Sequence, residues 1–159
     1  MERILTEGGE KTRSFCELIL QPQSEIPEFR AFLRKANFLI TEDSAVYEEG
    51  KYYFAMKAIY KKKIQFAGSG QPAVEQLELN RLYDQYGKYL LQEQHPVLKQ
   101  YILYRRNALT GIMEQLQKKS TINSEIRMKE LYLELEQLDA ALEFFEKEGS
   151  RYGYGYDSW

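Results

Sequence analysis

The chain has one cysteine, one histidine, one tryptophan and four prolines in 159 residues. A single cysteine, Cys16, excludes an intrachain disulfide, and Cys16 with His95 cannot supply the three or four ligands of a zinc site. A Ser-His-Asp or Cys-His mechanism would have to use His95, but that residue directly precedes Pro96 and reads as a helix-entry position. No catalytic side chain, metal site or cofactor site is therefore assigned from these residues. Long apolar runs are also missing. Stretches such as Tyr52-Tyr53-Phe54-Ala55-Met56 fall far short of the roughly 18 residues a membrane span needs. Met1-Glu2-Arg3 opens no signal-peptide pattern, so the expectation is a cytoplasmic protein with no membrane partner. Nor does one sign of charge dominate: 22 Lys+Arg stand against 24 Asp+Glu, a net charge of -2. That argues against a generally basic nucleic-acid binder and leaves only local Lys and Arg clusters to serve one. What is present, 43% hydrophobic and 29% charged residues, is the composition of an ordinary globular chain of one-domain length.

Two textures meet near residue 62. Phe15-Cys16-Glu17-Leu18-Ile19-Leu20 reads as a mostly buried strand ending in Gln21-Pro22-Gln23. Ile26, Phe29, Phe32, Leu33 and Ala36 then recur at helical spacing, with Pro27 in the first turn and Asn37 as the stop. Phe38–Tyr47 and Tyr52–Tyr60 read as two strands of a hairpin turning through Glu48-Glu49-Gly50-Lys51. A strand, a crossover helix and a second strand imply a parallel pair, with too few elements to cover both faces of a parallel sheet. Before them, Met1 to Arg13 holds one short amphipathic stretch broken by Gly8-Gly9.

Beyond Lys61-Lys62-Lys63 the texture is helical. Val74 to Gln94 reads as one or two helices interrupted near Gly87. Pro96 opens a long helix with the stripe Leu98, Ile102, Leu109, Ile112 and Leu116. Glu125 opens another with Leu131, Leu135, Leu138, Leu142 and Phe145 alternating by four and three. The short polar connection from Lys118 to Ser124 predicts an antiparallel coiled-coil hairpin. Gly68-Ser69-Gly70-Gln71-Pro72-Ala73 fits G-x-G-x-x-A, but it follows the last strand and Pro72 removes an amide, so it reads as a linker. The tail, Ser150 to Trp159, alternates tyrosine with glycine and reads as flexible. The expected organisation is a partial sheet domain over 1–62, a linker and connecting helices over 63–95, the coiled-coil hairpin over 96–148 and the tail over 149–159.

Leu18-Ile19-Leu20-Gln21-Pro22-Gln23, the hairpin from Phe38 through Glu49-Gly50-Lys51 to Tyr53, Tyr86-Gly87 with Leu90-Leu91, and His95-Pro96-Val97-Leu98-Lys99 together resemble the bacterial tRNA (adenine-N1)-methyltransferases that modify adenine 22. The resemblance spans most of residues 15 to 145. It implies an α/β fold, the C-terminal part of a class I, Rossmann-like methyltransferase sheet followed by an α-helical coiled-coil hairpin. Phe15 to Tyr60 would be the fifth strand, its helix, and the sixth and seventh strands. The glycine-rich turns that hold S-adenosylmethionine in the family are not matched by any segment here, so this chain alone is expected to bind no cofactor and to be catalytically silent. Its partner would be tRNA.

Gln21, Pro22 and Gln23 stand at the carboxyl end of the first strand, where open α/β sheets bind ligands. Their amides either read an adenine edge or cap the turn around Pro22. Lys61, Lys62, Lys63, Arg105, Arg106, Lys118 and Lys119 are the candidate phosphate contacts, against the reading of a solvated charged surface. The rival functions are a non-catalytic helical interaction module, dimerising through an exposed sheet edge or the coiled coil, and a pseudoenzyme subunit that grips tRNA for a separate catalytic chain.

Overall fold

The computed structural model describes residues 2–61, 74–118 and 122–146. These divide into two compact units, with the boundary between Leu90 and Leu91.

In the first unit two short helices, α1 (Glu2–Glu7) and α2 (Gly9–Arg13), precede strand β1 (Leu18–Leu20). The break between them falls at the two glycines, with Gly9 at φ +49. Helix α3 (Ile26–Lys35) follows, then β2 (Phe38–Glu48) and β3 (Lys51–Tyr60). Helix α3 carries proline in its first turn, where a missing N–H costs nothing. It stops at Asn37, whose φ of 62 is a left-handed conformation that asparagine tolerates better than most residues. Phe29 and Leu33 on its inner face pack with Leu5, Leu20, Phe38, Met56 and Ala58 into one core, so helix α1 and α3 share a face of the sheet with alternate residues of all three strands.

The strand order is β1-β3-β2, and both neighbours of β3 run antiparallel to it. The expected parallel pair is therefore corrected: β1 and β2 run the same way but are separated by β3, which folds back into the gap between them. The composition of β3 suits a central strand, since beyond Lys51 no residue of it is fully exposed. By contrast, β1 is an edge of three residues, shorter than the Phe15–Leu20 run, and Ile19 on it is 76% exposed. The hairpin turn is two residues, Glu49 at φ 48 and Gly50 at φ 79, the doubly positive geometry that matches strand twist.

One irregularity decides what each face carries. The ladder between β2 and β3 shifts between Ile40 and Glu42, leaving Thr41 as an extra residue. Before it, Phe38 and Ile40 face the core. After it the parity flips, so Asp43 and Ala45 point inward while Glu42, Ser44, Val46 and Glu48 share the opposite face. Helix α4 (Val74–Tyr86) and the first residues of α5 (Lys88–Gln92) complete this unit, joined by Gly87 at φ +89.

The second unit is an antiparallel pair, α6 (Pro96–Gln117) and α7 (Ile122–Glu146). Its direction shows in the cross-links: Arg105 meets Glu134 and Arg106 meets Asp139, while near the open end Gln94 donates to the Phe144 carbonyl. His95 caps α6 by accepting from the Val97 amide, and so acts as the helix-entry residue. The buried seam takes Leu98, Ile102, Leu109 and Met113 from one helix and Leu131, Leu138 and Ala141 from the other. Met113 fills the position expected of Ile112, which is 43% exposed. Helix α7 starts three residues before Glu125, at Ile122.

Candidate functional site at the carboxyl edge of the sheet

Strand β1 ends at Leu20, opposite Met56, and the chain leaves the sheet through Gln21-Pro22-Gln23. The hairpin of β2 and β3 runs on past this point, so it forms a ledge beside the carboxyl end of β1. Pro22 is buried and both glutamines are exposed, but their side chains do different things. Gln23 Nε2 donates to the Gln21 carbonyl at 3.4 Å and thereby closes the turn. The Gln21 amide makes no hydrogen bond to any described side chain and lines an open groove of 320 Å³ with Ser44, Val46, Glu48, Tyr53 and Ala55. The groove exists because of the bulge at Thr41, which brings Ser44, Val46 and Glu48 onto this face.

A buried ion pair absent from the sequence candidates anchors the other face. Arg30 Nη2 donates to Asp43 Oδ1 at 3.0 Å, with both side chains at most 2% exposed. Arg30 Nη1 donates to the carbonyls of Asp84 and Gln85 at the end of α4, at 3.2 and 3.3 Å. Asp43 Oδ2 in turn accepts from the Tyr89 amide at the start of α5. Arg34 adds an ion pair of 2.6 Å with Asp84. Burial pulls the Arg30 pKa below its ordinary value against the opposing pull of Asp43, a charge held only because its partners are fixed. Gly87 is required at the joint. A Cβ there would sit 2.9 Å from Arg30 Nη2 and 3.0 Å from the Asp43 carboxyl carbon. The sequence holds one signal for the pair, an arginine beside Phe29 on the apolar stripe of α3.

The basic candidates are spread over both units. Lys61 lies exposed just beyond β3 in the first unit, with no ion pair among the described residues. Its neighbour in the strand, Lys57, is held by Glu42 at 3.1 Å and Glu17 at 3.8 Å, and the hydrogen bond with Glu42 is the main reason its pKa is raised. In the second unit Arg105 and Arg106 are each engaged by a carboxylate of α7, and Lys118 is exposed at the C-terminus of α6. Lys62, Lys63 and Lys119, the segment Gly68 to Ala73 and the tail from Ser150 lie outside the described residues. Among the described residues no group of His, Cys, Asp and Glu is arranged to hold a metal, and no helix is long and apolar enough to cross a membrane.

A crossover helix between two co-directional strands, with the last strand inserted antiparallel between them, is the arrangement of part of a Rossmann-like sheet. Solved structures share it. A Listeria monocytogenes protein described as uncharacterized aligns with a TM-score of 0.71 at 22% identity, over 88% of this chain and 56% of its own. A putative tRNA (m1A22) methyltransferase from Streptococcus pneumoniae aligns at 0.66 and 23%, over 89% and 55%, and has also been solved in complex with S-adenosyl-L-methionine. The m1A22 tRNA methyltransferase of B. subtilis aligns at 0.64 and 22%, over 89% and 57%. No curated protein matches the chain. The sequence profile of the tRNA (adenine(22)-N(1))-methyltransferase family matches residues 1–140, and the chain belongs to that family. It spans a little over half the length of these solved relatives.

The two joints at this edge of the sheet offer the methyl donor no glycine-lined approach. The turn from β1 into α3, residues 21–25, contains no glycine that would let a nucleotide approach the backbone, and the open side of Gly87 is filled by Arg30 and Asp43.

Proposed function

We propose that these residues form the C-terminal part of a cytoplasmic enzyme that methylates N1 of adenine 22 in tRNA with S-adenosyl-L-methionine as donor. The family match over residues 1–140 carries the reading. Methylation at N1 asks for little covalent chemistry from the protein, since the base must chiefly be unpaired, oriented and shielded from water. The donor supplies an electrophilic methyl group when bound. This chain is inactive by itself and contributes substrate binding. Gln21 with Pro22 forms the rim of the substrate site, and Gln23 supports it by closing the turn. Lys61, Lys62, Lys63, Lys118 and Lys119 hold tRNA phosphates, aided by the helical hairpin. Arg105 and Arg106 join them only by exchanging Glu134 and Asp139 for phosphate.

The test is tRNA binding by the chain across a salt series, with methyl transfer measured alongside. Affinity should fall linearly on a log–log plot, by roughly 10-fold or more between about 50 and about 200 mM salt, and no methyl transfer should occur. Binding that is absent at low salt, or insensitive to salt, removes the tRNA role. A second reading, self-association, draws on the exposed Ile19 of β1 and on Ile126 and Leu133, which lie seven residues apart on one face of α7. A monomeric mass in solution at high concentration rejects it.

A further inference from the structure

The groove beside Gln21 has the wrong chemistry for a phosphate. Among the described residues no lysine or arginine lines it, and its one charged group is the Glu48 carboxylate. Four polar side chains converge on it, the Gln21 amide, the Ser44 and Tyr53 hydroxyls and the Glu48 carboxylate, and none is committed to a described partner. Ala55 and Ser44 keep its floor low, while the half-buried Tyr53 offers a ring. Its 320 Å³ is at the small end of ligand sites. Acceptors, an amide and an aromatic ring suit a flat heterocycle with an amino group.

We infer that this groove takes the unpaired target adenine and that Gln21 reads the base on its N6/N7 edge; the inference rests on the methyltransferase reading above. A glutamine amide carries an acceptor and a donor side by side, matching the N6 amino group and N7 of adenine. On the other edge the same amide would donate to N1 and occupy the lone pair that must react. Reading N6 and N7 leaves N1 free. Glu48 accepts the second amino hydrogen, and Tyr53 stacks on the ring, a contact that tolerates any base and so leaves selectivity to Gln21.

Titration of the isotope-labelled chain with nucleosides, followed by NMR, tests this. Adenosine should shift the Gln21 side-chain amide and the backbone signals of Ser44 and Tyr53. Binding should weaken about tenfold for 7-deazaadenosine, which lacks N7, and for purine riboside, which lacks the amino group. It should stay within about twofold for 1-deazaadenosine, which keeps the amino group and N7 and lacks only the unread N1. Gln21→Ala should erase the difference between adenosine and 7-deazaadenosine. Gln21→Glu, which keeps the shape but loses the donor to N7, should do the same if the alanine variant is poorly folded. Absence of shifts at Gln21, Ser44 and Tyr53 overturns the site, and equal binding of adenosine and 7-deazaadenosine, or a tenfold loss with 1-deazaadenosine, overturns the edge. tRNA binding by the same sample separates the two levels: salt-sensitive tRNA binding without nucleoside shifts rejects the groove alone, and loss of both rejects the tRNA-binding role of this chain as well.

Discussion

Arg30 and Asp43 show at residue scale how a charge can be buried and still be useful. The pair joins α3 to the bulged part of β2, and Arg30 Nη1 and Asp43 Oδ2 bind backbone groups on either side of Gly87, while the buried Arg30 Nε has no hydrogen-bond partner among the described residues. Removing one partner leaves the other charged and uncompensated. Asp43→Ala should therefore destabilise the chain by about 3–5 kcal/mol in denaturant unfolding. Replacing both residues with apolar ones, Arg30→Met with Asp43→Leu, should cost clearly less than the sum of the single changes. An additive double variant would mean that the two side chains act independently. Tyr101 makes a milder case in the second unit. Burial is the largest cause of its raised pKa, opposed by Arg105 and reinforced by Glu134. The folded state thus prefers the neutral phenol. That contribution is complete below the ordinary value of 10.0 and is lost as pH rises through the folded value. Tyr101→Phe should flatten the alkaline fall of stability in that window, and an unchanged slope would locate the fall elsewhere.

At the scale of elements, the β2–β3 hairpin holds both what the sequence makes legible and what it hides. The strands, the turn and α3 all follow from local signals: alternation, a glycine where φ is positive, proline in a first turn. The bulge at Thr41 leaves no comparable trace, since an unbroken alternation from Phe38 would put Ser44 and Val46 in the core and Asp43 outside. The insertion of β3 between β1 and β2 is likewise decided by non-local pairing, which a run of apolar residues does not encode. So the position of Gln21 at a carboxyl edge is readable, while its groove partners Ser44, Glu48 and Tyr53 are not. In the helical hairpin the period is legible, but the choice of Met113 over Ile112 depends on the facing residues of α7. The turn itself offers a prediction. Glu49 sits at φ 48, where a side chain with a Cβ is strained and asparagine is favoured before glycine. Glu49→Asn should raise stability by about 0.5–1 kcal/mol by relieving that conformation. A loss of stability would show that the Glu49 side chain contributes something its exposed position does not reveal.

For the molecule as a whole, the net charge of -2 and the ion pairs along the helical hairpin set how much of its basic surface can meet RNA. Arg105 and Arg106 are half-exposed and already paired with Glu134 and Asp139, so taking up a phosphate means breaking an existing pair. Lys61 has no such partner among the described residues, and it follows directly on the strand that floors the groove. The two kinds of basic residue should therefore separate in one experiment. Lys61→Ala should weaken tRNA binding at low salt and reduce the log–log salt slope by about 1, as the removal of a single phosphate-neutralising cation requires. Arg105→Ala with Arg106→Ala should leave that slope unchanged and instead lower hairpin stability by about 0–1 kcal/mol per pair, the range for exposed ion pairs. A slope that falls with the arginines and not with Lys61 would reverse the assignment, showing that the α6–α7 pairs open on binding and that the hairpin, rather than the end of the sheet, carries the phosphate contacts.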